Sequence, residues 1–197
     1  FLRSIHASLD VRQASYSIVN EGRRLIGCDR VSLAVQEGGT LRVIAVSGLD
    51  TIDRRATEVR HLSNLAQVVA QTKEPLWHAA GSGEEAPQIE EHLQPYIDVS
   101  HARLVAVLPL MATPPEGKTG AEQEKSGTGL KKLVGVLIVE QLHDSKATDL
   151  LRSRSDLVAE HSAAALANAL EHSGLFLMPL WKVLGKTAAL FRGRALF

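Results

Sequence analysis

The chain carries few residues that could perform catalysis or hold a metal ion. Cys28 is the only cysteine, so the sequence has neither an intramolecular disulfide nor the several thiolates of a zinc or redox site. It lies between a predicted helix and a predicted strand, where a buried apolar thiol is expected. The eight histidines include no pair at i, i+4 spacing, and His161 and His172 on one predicted helix stand about 16 Å apart. We therefore expect no metal site and no cofactor.

Local motifs and acidic residues also give no sign of an enzyme. The sequence contains no Gly-x-x-x-x-Gly-Lys-Ser/Thr phosphate loop, no Gly-x-Ser-x-Gly elbow and no His-Glu-x-x-His motif. The stretch from Gly83 to Asp98 has four glutamates and no Lys or Arg, which raises the possibility of paired carboxylates. Its spacing is more typical of the solvated side of a helix. We expect a protein without catalytic activity.

Composition indicates one globular domain with tails. The 197 residues are 45% hydrophobic, and 22 basic residues balance 22 acidic ones, so no global field favours nucleic acid. The chain begins at Phe1 rather than Met, which we interpret as part of a longer protein. The single cysteine favours a reducing compartment, and no segment reaches the roughly 20 apolar residues of a membrane span. Composition thus predicts a soluble domain of a longer protein. The further prediction, a cytoplasmic domain of a membrane-anchored protein, comes from the C-terminal segment and the resemblance described below.

Two apolar runs form the predicted centre of the fold. Arg103–Met111 and Leu133–Leu142 are apolar on both faces, which predicts neighbouring central strands covered on both sides. Pro109 cannot donate a ladder hydrogen bond, so it is expected at a bulge or on a side without a partner. Between the runs, residues 112–132 are rich in Pro, Gly, Thr and charge, which predicts a flexible insert.

Periodicity predicts the remaining elements. In chain order these are a helix over 2–26 that Asp10 caps or breaks and Gly27 ends, a hairpin of strands 30–36 and 41–48, a helix around 62–69, an edge strand at 76–78, a short helix around 89–96, and a helix over 149–173 ended by Gly174. Alanines in the last helix allow close helix approach. We expect it to pack on the first helix, or to form a homodimer through the terminal helices.

This order of elements, with several local phrases, resembles the GAF domain, a small-molecule-sensing relative of the PAS fold. The phrases are Cys28–Leu33 (CDRVSL), Leu65–Leu76 (LAQVVAQTKEPL), Leu133–Leu137 (LVGVL) and Ala164–Ala169 (AALANA). The resemblance implies an α+β, three-layer α/β/α fold with a central antiparallel sheet of five to six strands. The resulting division is a helical lead-in at 1–9, a GAF-like domain at 10–173 and a basic, apolar tail at 174–197.

The resemblance also implies where a ligand would bind, namely against the sheet under Leu62–Ser100. On that basis the candidate ligand-binding residues are Trp77, His78, Tyr96 and His101, with core packing as the alternative for Trp77 and Tyr96. Relatives that reduce methionine sulfoxide need a second cysteine, and relatives that bind a bilin use a cysteine near the pocket, whereas Cys28 precedes the first strand. The Asn-Lys-Phe-Asp-Glu constellation of cyclic-nucleotide-binding members is not found. The sequence therefore identifies no ligand.

The C-terminal segment Leu175–Phe197 has the composition of a membrane-surface or juxtamembrane segment. It mixes large apolar residues with cations, and the candidate membrane-interacting residues are Trp181, Lys182, Lys186, Arg192 and Arg194. Packing on the domain or on a partner helix is the alternative. A GAF-like domain with this exit resembles the cytoplasmic part of haemolysin-D-type secretion adaptors.

These observations give two predictions of function. The first is a non-enzymatic regulatory or docking domain of a membrane-associated secretion or signalling protein. The alternative is a small-molecule-sensing domain of a histidine kinase or transcriptional regulator.

Overall fold

The fold is built on a five-stranded antiparallel sheet with helices on both faces. The computed structural model describes residues 1–37, 39–81, 85–113, 131–144 and 146–192, with side chains described as far as Ser173 apart from that of Glu37. The elements are α1 (Leu2–Ile5), α2 (Val11–Ile26), β1 (Arg30–Glu37), β2 (Thr40–Val46), α3 (Thr57–Thr72), β3 (Leu76–Ala79), α4 (Pro87–Ser100), β4 (Leu104–Ala112), β5 (Lys132–Gln141) and α5 (Asp149–Arg192). The strand order is β2-β1-β5-β4-β3. This confirms the predicted α+β class, with five strands.

The two apolar runs are confirmed as neighbouring strands. β4 pairs with β5 along its whole length, and β5 lies between β4 and β1 at the centre of the sheet. Pro109 lies beyond Val107, the last residue of β4 that pairs with the edge strand β3, and next to a register shift between Leu110 and Met111. A residue without an N–H is tolerated there because β3 begins at Leu76, opposite Val107, and so does not pair with Pro109.

Each face of the sheet has its own helical layer and its own core. Leu33 and Val139 face the layer of α2 and α5, where they pack with Leu166. Ile138 faces the layer of α3 and α4, where it packs with Leu65. Alternate residues of one strand thus enter opposite cores, as the period of two requires.

The N-terminal helical region is divided at Asp10. The Asp10 carboxylate accepts a hydrogen bond from the Gln13 N–H at 2.8 Å and begins α2, while α1 is a separate short helix. Gly27 ends α2 in the left-handed conformation, with φ of 78°, and its N–H donates to the Arg23 carbonyl. Both residues act as their types predict.

The prediction that Gly174 ends the last helix is wrong, because α5 continues to Arg192. Neither Gly174 nor Pro179 interrupts it. A glycine inside a helix costs about 1 kcal/mol and a proline about 3 kcal/mol, and the structure nevertheless continues α5 through both.

Two other predictions fall on residues outside this description. Of the insert predicted at 112–132, residues 114–130 lie outside the described residues. For the predicted membrane-interacting residues, the side chains of Trp181, Lys182, Lys186 and Arg192 and the whole of Arg194 also lie outside them. Among the described residues, no helix has both the length and the apolar composition that a bilayer crossing needs.

Candidate functional site

Three polar side chains lie in one cross-strand row, with Val105 among them, on the face of the sheet beneath α3 and α4. The strand register places His78 of β3 opposite Val105 of β4, Val105 opposite Glu140 of β5, and Glu140 opposite Arg30 of β1. Residues in direct cross-strand register share one face of a sheet. The row therefore lies where the sequence resemblance expects a ligand.

Glu140 is the most deeply buried charged residue of this row. Its side chain has no exposed surface, and its two oxygens accept hydrogen bonds from Nε and Nη2 of Arg30 at 2.7 and 2.8 Å. The Tyr96 hydroxyl of α4 donates a third hydrogen bond to Oε1 at 2.5 Å. A bidentate arginine and a phenol offset the loss of water around a buried carboxylate.

Arg30 joins this carboxylate to α3 as well. Its Nη1 lies 2.6 Å from Oε1 of Glu58, in the first turn of α3, and its Nη2 donates to the Tyr96 oxygen at 3.2 Å. Arg30, Glu58, Tyr96 and Glu140 form what we call the charged network. It ties two strands and the two helices of one layer together.

Electrostatics fix the protonation of Arg30 and Tyr96 in the network. Burial alone would lower the pKa of Arg30, but the hydrogen bonds and charge of Glu140 outweigh it and raise that pKa, so the guanidinium stays charged. Burial, reinforced by the charge of Glu140, raises the pKa of Tyr96 well above its ordinary value, so the phenol stays a neutral donor. These two groups hold their protons through the neutral range and are suited to positioning rather than to proton transfer.

Further polar groups lie on the same face of the sheet. His78 Nδ1 lies 3.5 Å from Oε1 of Glu85, close enough for an ion pair if the ring is protonated, and it has no hydrogen-bond partner among the described residues. The buried Ser32 hydroxyl, two residues along β1 from Arg30, likewise has no partner in the described part of the chain. Both are buried polar atoms on the same face of the sheet as the network.

The four predicted ligand-binding residues do not form one group. Tyr96 and His78 lie on the face beneath α3 and α4. Trp77 lies on the opposite face, in the core shared with α5, with the Arg152 guanidinium 4.5 Å from its ring centre. His101 is exposed just after α4, in the left-handed conformation with φ of 54°. The alternation of β3 separates Trp77 from His78.

Cys28 packs in the core of the α2 and α5 layer, away from the network. Burial raises the pKa of its thiol to about 12, so the thiolate is scarce at neutral pH. In the described part of the chain, no three His, Cys, Asp or Glu side chains are grouped as a metal site would need.

Sequence reasoning missed Arg30, Glu58 and Glu140. The signal available in the sequence was Glu140, a single acid inside the otherwise apolar strand β5. A charged residue is almost never fully buried without a partner, so this acid indicated a partner elsewhere in the chain. Its partner Arg30 is 110 positions away, and only the β1–β5 register brings the two together.

Comparison with known proteins gives a consistent result. Residues 10–170 match the family model described as GAF domain. A search of curated proteins finds no significant match.

Three solved structures illustrate the similarity in fold. A domain of a two-component sensor histidine kinase protein from Sinorhizobium meliloti superposes with a TM-score of 0.52 at 16% identity, covering 84% of this chain and 93% of that one. Residues 122 to 287 of a methyl-accepting chemotaxis protein give 0.58 at 11% identity, covering 85% and 95%. The phycoerythrobilin-bound domain of a cyanobacterial phytochrome gives 0.55 at 18% identity, covering 87% and 95%. None of these findings supports the relationship to haemolysin-D-type adaptors.

Proposed function

This chain belongs to the GAF domain family, and from that premise we propose that it is a non-enzymatic sensory domain that binds a small molecule on the α3 and α4 side of its sheet. The named neighbours include a sensor kinase, a chemotaxis protein and a bilin-bound domain, which favours sensing over secretion. Their identities are low, so they support the class of function and no particular ligand.

The charged network is the observation on which the proposal mainly depends. It joins the two helices that would cover a ligand to the two strands at the centre of the sheet. A ligand that moves α3 or α4 must stretch or replace the contacts of Glu58 or Tyr96. Val31 and Val139, the neighbours of Arg30 and Glu140, pack in the opposite core with α2 and α5. A change in the network is thereby passed to the long helix α5.

The fixed protonation of Arg30 and Tyr96 supports the non-enzymatic part of the proposal. A general acid or base needs a pKa near the working pH. Glu140 raises the pKa of Arg30 against the effect of burial, and burial together with Glu140 raises the pKa of Tyr96, so both lie away from neutrality. Burial also raises the pKa of the Cys28 thiol to about 12, so this thiol is not a nucleophile at neutral pH.

The membrane part of the earlier hypothesis depends on Leu175–Phe197, whose side chains are not described. A membrane surface as partner and a cytoplasmic location on a membrane-anchored protein therefore stay predictions. Flotation with anionic liposomes, comparing the whole chain with a chain lacking that segment, tests the membrane contact. Equal flotation of the two would contradict it.

Sensing is tested by thermal unfolding in the presence of metabolite classes. A ligand that binds only the folded state raises the midpoint temperature in a saturable way. For a stabilising compound, hydrogen exchange should slow in α3 and α4 and change in α5. The Glu58→Gln variant should weaken the change in α5, and Glu91→Gln on the exposed side of α4 is the matched control. Ligand binding without any effect on α5 would contradict signal transmission.

A further inference from the structure

His78 is a largely buried histidine with one ring nitrogen that lacks a partner. It lies in the edge strand β3, opposite Val105, on the face of the sheet beneath α3 and α4. Its side chain is 16% exposed, and its Nδ1 is buried without a hydrogen-bond partner among the described residues. A buried polar atom in this state has lost its water and gained no contact in exchange. Such a nitrogen is placed to gain a proton and a partner together.

The carboxylate of Glu85 lies just beyond hydrogen-bond distance from that nitrogen. Its Oε1 is 3.5 Å from Nδ1 of His78, and its side chain is 23% exposed. A neutral imidazole carries one proton on its two nitrogens, whereas the protonated ring donates from both and bears a positive charge. A movement of roughly 0.7 Å would then bring the two atoms to the distance of a charge-assisted hydrogen bond.

The start of α4 is weakly held by its own sequence. Glu85 comes two residues before Pro87, the first residue of this helix. The N-cap position is Ala86, and no side chain in the described part of the chain caps the first turn there. Alanine leaves the first N–H groups of a helix without the acceptor that Ser, Thr, Asp or Asn would supply. A contact between Glu85 and β3 is therefore well placed to fix the start of α4.

The charged network lies on the same face of the sheet but is already paired. Its two carboxylates, Glu58 of α3 and Glu140 of β5, both contact Arg30 of β1. The Tyr96 hydroxyl of α4 donates to Glu140 as well. These carboxylates have partners of their own, which leaves them less available to a protonated His78.

Two further groups on this side bear on the protonation of His78. Arg103 lies two residues before Val105, so strand alternation places it on the same face. It is exposed, and water screens its repulsion of a second cation. His92 of α4 is half-buried and lies four residues before Tyr96, on the same side of the helix. Because histidines titrate in one range of pH, His92 needs a control of its own.

We propose that protonation of His78 fastens the start of α4 to the edge strand β3 through Glu85, so that this part of the domain tightens below neutral pH. Histidines in general take up a proton between about pH 8 and pH 5, and carboxylates only near pH 4. The contact should therefore form as the pH falls below neutrality and be strongest at about pH 5–6. It should weaken again once the carboxylate is neutralised. The contact needs no ligand and so goes beyond the sensing function proposed above.

Hydrogen exchange of the whole chain, expressed as protection factors to remove the intrinsic effect of pH, tests the contact at about pH 8 and about pH 5.5. Protection in the first two turns of α4 should rise by about two- to fivefold at the lower pH, the range expected of a partly exposed ion pair. Glu85→Gln and His78→Gln should each abolish the rise. His92→Gln and Glu91→Gln change the same residue types elsewhere on α4 and should keep it.

Three results would overturn the proposal: protection in α4 that does not depend on pH, a dependence that Glu85→Gln retains, or one that His92→Gln removes. If His78→Gln fails to fold, Glu85→Gln decides alone, because it keeps the histidine and its packing. No ligand is present in this measurement, so its outcome is independent of the sensing function.

Discussion

The Glu140 side chain is fully buried, and its hydrogen-bond partners offset the cost of removing it from water. Removing an ionised carboxylate from water costs several kcal/mol, which the bidentate Arg30 and the Tyr96 hydroxyl offset. Such a pair adds little net stability compared with apolar residues of the same size. Loss of one partner is costly, however, because the other charge is left buried alone.

The variant Glu140→Ala is therefore expected to lower the free energy of unfolding by about 3–5 kcal/mol. The double variant Arg30→Met/Glu140→Met should lose less than the single variant, because no unpaired charge remains. Urea unfolding followed by circular dichroism measures both. Glu91→Ala, on the exposed side of α4, should stay within about 0.5 kcal/mol. A Glu140→Ala cost no larger than that of Glu91→Ala would refute the assignment.

Asp29 gives the fold a defined dependence on pH. It joins α2 to β1, and its Oδ2 accepts from the Leu142 N–H at 2.7 Å just after β5. That hydrogen bond, together with His143, lowers the pKa of the carboxyl below its ordinary value of about 3.9. The folded state then binds the proton less readily than the unfolded state. The associated stability is present above the unfolded pKa and is lost as pH falls through the folded value.

Acidification should therefore reduce the stability difference between the unchanged chain and the variant Asp29→Asn. At pH 7 the unchanged chain is expected to have the higher urea midpoint, and near pH 2 the gap should narrow. The other carboxylates are common to both proteins, so the difference isolates Asp29. The same gap at both pH values would contradict the role given to this carboxylate.

At the scale of elements, the β1–β5 contact depends on the absence of a side chain at Gly135. A Cβ there would lie 2.7 Å from the Ala34 carbonyl oxygen and 3.0 Å from a methyl group of Leu166 in α5. The first clash is with backbone, which cannot rotate away. The variant Gly135→Ala should therefore move β5 from β1 and destabilise the domain by about 1–3 kcal/mol.

Gly22→Ala in α2 is the natural comparison for that change. Its Cβ would lie 3.1 Å from a Val158 methyl group, which belongs to a side chain, and alanine gains about 1 kcal/mol of helix propensity. We expect a much smaller loss from Gly22→Ala than from Gly135→Ala in urea unfolding. Equal losses would mean that side-chain crowding rather than the strand backbone limits both sites.

Most elements could be predicted from the sequence, because each depends on local signals. The Asp10 cap, the Gly27 stop and the alternation of β1 and β2 need only neighbouring residues. The charged network could not, because Arg30, Glu58, Tyr96 and Glu140 lie on four elements and meet only through long-range register. The core that Trp77 enters could not be predicted either. Strand alternation separates Trp77 from His78, but which helical layer covers each face of β3 is set by the tertiary fold.

At the scale of the whole molecule, helix α5 presents an apolar stripe away from its own core. Leu151, Val158 and Ala165 are buried, whereas Leu150 and Leu157 are 60% and 45% exposed and Ala164 is also exposed. The exposed positions repeat every seven residues, the spacing of a helix–helix seam. The stripe supports the prediction of a homodimer through the terminal helices.

Light scattering coupled to size exclusion is expected to show a dimer that Leu157→Glu converts to a monomer, because a carboxylate at the centre of the stripe would be buried without a partner. Val99→Glu is the matched control, since Val99 is 40% exposed on α4, on the other side of the sheet. It should leave the dimer intact. A chain that is strictly monomeric at high concentration, or one that dissociates equally in both variants, would refute the seam. If the dimer forms as predicted, any movement that the charged network transmits to α5 also changes the pairing of two copies.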